Sequence, residues 1–243
     1  MNFYEDMSSC YDEVFPKNEL KVNFLTEYMN KDGLSVDIAC GVGTDVRELM
    51  DRGFKVEGLD LDNSMISEAK RKSEEQGVIT RYITGSMLEM EKYYGDDTLT
   101  NVLCTGNSLV HLPSRDDIFT FIQEAYRCLE DHGKLIIQII NFDRILDQKV
   151  QGLPTIINEE QQVKFVRKYE HMNTPAGTVI KFIGELEKGD KKTINSVNLL
   201  ALRKNELIEI LKKVGFKSLD TYGNFKGEVY GENSYATIVV AKK

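Results

Sequence analysis

Residues 36–50 read VDIACGVGTDVRELM, and the chemistry in that stretch sits in Asp37, Gly41 and Gly43. A ligand can approach the backbone closely where glycine removes the Cβ and tolerates positive φ. A helix pattern begins near Thr44, so its unpaired N–H groups and positive dipole end face an anionic group. Asp60 closes the next apolar run, KVEGLD, where a carboxylate can accept hydrogen bonds from two ribose hydroxyls. Together these residues fit an adenosine-containing ligand. From Gly41 the chain reads GVGTDV, so Val46 takes the place of the third glycine in Gly-x-Gly-x-x-Gly. That departure disfavours a nicotinamide dinucleotide.

The elements that must hold these residues alternate from residue 18 to about 142. LSVDIA is a short apolar run suited to a strand buried on both faces. TDVRELMDRG reads as a helix closed by Gly53, and NSMISEAKRKSEEQG as a helix with Asn63 as N-cap and Gly77 past its end. KVEGLD, VITRYIT, TLTNVLCT and GKLIIQIINF supply further strands, and SRDDIFTFIQEAYRCLEDHG an amphipathic helix with an acidic first turn. Such alternation argues for an α/β fold, a parallel sheet with helices on both faces. After Asn141 the pattern changes: QQVKFVRKYEHM, TVIKFIGELEKG and KKTINSVNLLALR read as consecutive antiparallel strands. Residues 151–203 therefore form a β-rich insertion on the side of the sheet where α/β proteins gather binding loops.

The balance of 31 basic and 39 acidic residues gives a net charge of −8, which makes nucleic acid a poor partner. The four cysteines, Cys10, Cys40, Cys104 and Cys128, form no CxxC pair, which argues against a zinc site or a disulfide framework. The longest apolar stretch, KLIIQII, is too short to span a bilayer, and no N-terminal apolar leader is apparent. A cytoplasmic protein with no metal is expected; the oligomeric state is open.

DIACGVG at 37–43 resembles the first motif of the class I S-adenosylmethionine-dependent methyltransferases, acidic-x-Gly-x-Gly-x-Gly, with Ala39 in the first glycine's place. GLDLDNSMISEA at 58–69 resembles their second motif. The resemblance implies S-adenosylmethionine as cofactor, S-adenosylhomocysteine as product, Asp60 as the ribose carboxylate and Met65 near the adenine. It also implies cofactor contacts from Ala39, Cys40, Leu61, Met87 and Thr105, with Ser86 where the family often has a residue contacting the adenine amino group. The implied fold is a Rossmann-like, seven-stranded, mostly parallel sheet with an antiparallel terminal hairpin from FKSLDTYG and SYATIVVAKK. Residues 1–243 would then be a single methyltransferase domain in which 151–203 form a substrate-side lid. In this family the opening segment often folds over the cofactor, which would bring Tyr4 and Tyr11 to the sulfonium, where an aromatic face favours a cation.

TGNSLVHLP at 105–113 resembles the glycine and sarcosine N-methyltransferases, which carry Gly-Asn-Ser-x-x-His-Leu there. The resemblance implies that Asn107 faces the substrate, while Ser108 and His111 border the cofactor, with His111 also the base for a hydroxyl acceptor. IINFDRIL at 139–146 matches a stretch Arg-Asn-Tyr-Asp-x-Ile-Leu in which the arginine pairs with the substrate carboxylate. Ile140 stands at that arginine's position and cannot imitate a charge-assisted, bidentate pair. The insertion would roof the acceptor pocket, bringing Phe165, Tyr169 and Phe182 either to it or to ordinary core. Neither Asn-Pro-Pro-Tyr nor a Pro-Cys pair follows the fourth strand, as nucleic-acid methyltransferases would have it. The expectation is in-line methyl transfer to a nitrogen or oxygen of a small molecule. The alternatives are a catalytically silent cofactor-binding module and a protein- or RNA-directed enzyme.

Overall fold

Apolar runs too short for helices form the middle of the sheet. β1 (Leu34–Ile38) and β4 (Leu99–Cys104) are buried almost throughout, as strands covered on both faces must be. In the computed structural model, residues 11–174 and 177–243 are described. β2 (Lys55–Asp60), β3 (Tyr82–Thr84) and β5 (Leu129–Ile140) pair parallel with this centre. β10 (Ser218–Tyr222) and β11 (Ala236–Lys242) form the antiparallel hairpin, giving a seven-stranded sheet of order β10-β11-β5-β4-β1-β2-β3. This is the Rossmann-like α/β fold expected from the sequence. The chain reverses strand order on either side of β1 and β4, so the loops after those strands diverge and leave a crevice at their carboxyl ends.

The helices bury one stripe each. In α5 (Arg115–Cys128) the stripe is Ile118, Phe121, Ile122, Ala125 and Cys128, the three-and-four spacing of a helix laid on a sheet. After the short α1 (Tyr11–Val14), α2 (Glu19–Tyr28), α3 (Thr44–Asp51) and α4 (Asn63–Glu75) pack on the sheet face that carries Val56 of β2, Leu103 of β4, Ile136 of β5 and Ile238 of β11. Two predicted boundaries differ. The N-cap of α4 is Asp62, whose carboxylate accepts from the Ser64 and Met65 amides; Asn63 is the first helical residue. α5 ends at Cys128 rather than near Gly133, because Glu130, Asp131 and His132 offer no apolar stripe and the chain bulges out between two parts of β5.

Past β5, Asn141 caps α6 (Phe142–Asp147) by accepting the Arg144 amide, so the strand has ended before Arg144. The insertion is a separate antiparallel sheet of order β6-β7-β8-β9. Its strands are Gly152–Asn158, Val163–Thr174, Gly177–Lys188 and Lys191–Leu200, four where three were expected. β6 escaped the sequence because Pro154 interrupts it, which an edge strand with a register shift between Leu153 and Ile156 can accommodate. α7 (Lys204–Val214) then leads back to the terminal hairpin. Tyr4 and Cys10 lie outside the described residues, as does the side chain of Tyr11. No helix among the described residues is long and apolar enough to cross a membrane.

Ser114 caps α5, its hydroxyl accepting the Asp117 amide at 3.1 Å. Ser114→Ala is expected to lower unfolding free energy by about 1 kcal/mol, read as a reduced urea midpoint with unchanged slope.

Candidate active site

A cavity of about 1100 Å³ opens at the carboxyl ends of the central strands. Its first wall is the turn after β1. Ala39, Gly41 and Gly43 all have positive φ (56°, 55° and 73°), so the chain folds back within five residues and directs α3 away from the sheet. Ala39 thus holds a conformation natural to glycine, with the smallest side chain that still carries a Cβ. Behind the turn the buried Arg47 donates to the Val42 carbonyl at 2.5 Å and fixes the loop from below.

Two carboxylates face this turn. Asp60 ends β2 and accepts the Gly41 amide on Oδ2 at 2.8 Å and the Asp62 amide on Oδ1 at 2.9 Å. Each oxygen keeps a second lone pair for a ligand hydroxyl. Burial raises the Asp60 carboxyl, while the amides of Asp62 and Gly41 pull it back. Asp37, 3% exposed, has no hydrogen-bonding partner among the described residues. Burial pushes its carboxyl up to about 8; Asp45 adds to the rise, Lys21 opposes it, and Asp60 contributes further repulsion. Lys21 is itself paired with Asp45 across the α2–α3 contact. A buried, partnerless carboxyl beside a hydroxyl-accepting one fits a ligand with both a positive centre and a ribose.

The family described as "Methyltransferase domain" matches residues 36–133, the segment that builds these walls. The glycine/sarcosine N-methyltransferase of Aphanothece halophytica is 27% identical over 240 residues, covering 99% of this chain and 86% of that protein. Residues 36–133 are the methyltransferase domain of a class I S-adenosylmethionine-dependent enzyme. Solved structures share the fold: an S-adenosylmethionine-dependent methyltransferase from Clostridium acetobutylicum has a TM-score of 0.79 at 17% identity, covering 99% of both chains. A sugar N-methyltransferase from a Streptoalloteichus species gives 0.68 at 14% identity, covering 96% of this chain and 91% of the other.

The methyltransferase brings most of its predicted site residues to this one cavity. Asp37, Ala39, Cys40 and Gly41 border it from β1 and its turn, and Asp60, Leu61 and Met65 from β2 and the start of α4. Ser86 and Met87 follow β3, where the Ser86 hydroxyl accepts the Leu88 amide at 3.2 Å. Thr105, Asn107, Ser108 and His111 border it after β4. Gly43 does not: a Cβ there would lie 2.5 Å from the Tyr82 hydroxyl, so its lack of a side chain serves packing against β3.

Asn107 sits in a left-handed conformation (φ 72°), and its side-chain oxygen accepts the Ile140 amide at 2.9 Å. This ties the β4 loop to the end of β5 and leaves the side-chain NH2 as a donor at the cavity. His111 follows in a single turn of 3-10 helix, where burial lowers its imidazole to about 4. The ring is neutral at pH 7 and weakly basic. Ile140 borders the cavity as an apolar surface.

The opposite wall comes from the insertion. Leu153, Ile156, Tyr169, Phe182, Val197 and Leu199 line it, together with Arg167. Tyr169 and Phe182 are therefore cavity residues, whereas Phe165 packs with Val14, Val163 and Leu186. Arg167, Lys21 and Gln138 were not singled out from sequence. For Arg167 the signal exists: VKFVRKY alternates, and residue 167 falls in register with Phe165 and Tyr169.

Proposed function

We propose that this methyltransferase moves the methyl group of S-adenosylmethionine to a small-molecule acceptor through a nitrogen or oxygen atom, nitrogen being favoured. One observation carries this: a single cavity is bounded on one side by the strand-end loops and on the other by the inner face of the insertion. Its volume suits a donor and a small acceptor side by side, and in this reading residues 151–203 act as the substrate-side lid of a single domain. The Aphanothece relative is named for methylating glycine and sarcosine, which supports a small amine as the acceptor class.

When bound, S-adenosylmethionine supplies a methyl group already activated by its sulfonium. The chain's part is then to hold and align. Asp60 receives the ribose hydroxyls while its other lone pairs keep the Gly41 and Asp62 amides in place. Leu61, Met65 and Met87 give the adenine an apolar bed, and the Ser86 hydroxyl meets its amino group. Asp37 offers its carboxyl to the positive centre. Asn107 directs its NH2 toward the acceptor, and the insertion keeps water out. Such alignment is worth roughly 7–11 kcal/mol in good cases.

His111 bears on the acceptor atom. A base works best with a pKa near the operating pH, and burial takes His111 well below that. It is a poor proton acceptor for a hydroxyl, whereas an amine attacks as its neutral form without help. Calorimetry is expected to show binding of S-adenosylmethionine and none of NAD. A panel of small amines should then release S-adenosylhomocysteine. The reverse ligand preference, or turnover with protein or RNA and no small molecule, overturns the proposal.

A further inference from the structure

We infer that Arg167 recognises an anionic group on the acceptor, and that the acceptor is a carboxylate carried on an apolar body. The inference rests on the methyl-transfer reading above and deepens it by naming the substrate class.

Arg167 is in the wrong place for an ordinary surface cation. In β7 the inward register holds Val163, Phe165 and Tyr169, all buried, and Arg167 falls between the last two. Its neighbours on the cavity wall are Leu153, Ile156, Tyr169 and Phe182. One Nη donates to the Pro154 carbonyl at 2.5 Å, while the Nε is buried and has no hydrogen-bonding partner. No carboxylate among the described residues forms an ion pair with it. The outward-facing lysines of the same sheet contrast with this. Lys164 pairs with Glu187, Lys168 with Glu185, Lys181 with Glu170 and Lys192 with both Glu185 and Glu187. Burial also draws the Arg167 guanidinium below its usual value without a carboxylate to offset it.

A half-buried guanidinium whose Nε–H is buried and unused is destabilising by itself. It makes sense where an anion completes it. Its Nε–H and remaining Nη N–H groups form the planar fork that matches a carboxylate, a task an ammonium does less well. The surrounding wall supplies apolar surface and nothing suited to a ribose, which places this anion on the acceptor. Ile140 has removed any cation from the end of β5, so Arg167 approaches from the opposite wall and the acceptor's body lies across Ile140, Tyr169 and Phe182. Glycine has the charge but no body to fill that surface.

The test uses the full chain loaded with S-adenosylhomocysteine and calorimetric titration with matched pairs: leucine against isopentylamine, and phenylalanine against phenethylamine. In the unaltered protein at least one carboxylate should bind about tenfold or more tighter than its amine, and glycine should bind weakly. Arg167→Met should abolish that preference and leave S-adenosylmethionine affinity within about twofold, while Arg167→Lys retains part of it. Because a half-buried, unpaired charge is replaced by an apolar chain of similar length, Arg167→Met should melt at an equal or higher temperature, so loss of binding is not loss of fold. Absence of S-adenosylmethionine binding in the unaltered chain defeats the methyl-transfer reading and this inference together. Normal donor binding with no carboxylate preference in either pair, or a preference that survives in Arg167→Met, overturns the inference alone. So does a fall in donor affinity in Arg167→Met, which would assign the guanidinium to the donor's own carboxylate.

Discussion

Asp60→Ala is expected to weaken S-adenosylmethionine binding by about two orders of magnitude. A hydrogen bond to a charged group contributes roughly 1.5–3 kcal/mol, and the carboxylate is placed to accept from two ribose hydroxyls. Water partly replaces the lost contacts, so about 3 kcal/mol is a reasonable net figure for the pair. The loss has a second part. Asp60 also holds the Gly41 and Asp62 amides, so the alanine frees both the glycine turn and the start of α4. Asp60→Asn separates the two parts: its single carbonyl oxygen keeps an acceptor for one amide but loses the charge. Titration calorimetry on both variants, with melting temperatures to confirm folding, gives the comparison. An affinity unchanged in Asp60→Ala removes Asp60 from the donor site.

The sequence carried the placement of the strand-end residues because each residue there answers a local requirement. A turn that doubles back after β1 needs positive φ, and glycine at 41 and 43 announces it; Ala39 meets the same demand in disguise. An acidic residue closing a short apolar strand likewise reads as a ligand carboxylate. Local patterning cannot say what packs against a residue from elsewhere in the chain. Gly43 looks like a ligand glycine until Tyr82 is seen over it. The imidazole of His111 is visible as a residue type, but its weak basicity comes from burial that only the folded chain supplies. β6 was hidden by Pro154, whose acceptability depends on the strand lying at an edge. Arg167 was hidden for a related reason: alternation marks its register, but an inward register has meaning only once a cavity lies on that side.

The second large effect is a pH dependence centred on Asp37. In the free protein burial holds this carboxyl at about 8, far above the ordinary carboxylate value near 3.8. At pH 7 it is mostly protonated. A bound sulfonium and ammonium favour the ionised form and bring its pKa down, so donor binding releases a proton below pH 8. Affinity for S-adenosylmethionine should therefore rise by up to about tenfold per pH unit on approaching 8 and level off above it. Stability of the free protein runs the other way. A carboxyl raised on folding contributes its full stability below its unfolded value, and that contribution is lost as pH climbs through about 8. The free chain should melt higher at pH 5 than at pH 9, with the donor restoring most at the alkaline end. Asp37→Asn keeps the shape and removes the titration, so both slopes should flatten while other ionisations, including the donor's amino group, remain. The difference between the two proteins isolates Asp37, and calorimetry in buffers of different ionisation enthalpy counts the proton directly. If Asp37→Asn keeps the slope of the unaltered chain, the carboxyl does not meet the donor's positive centre.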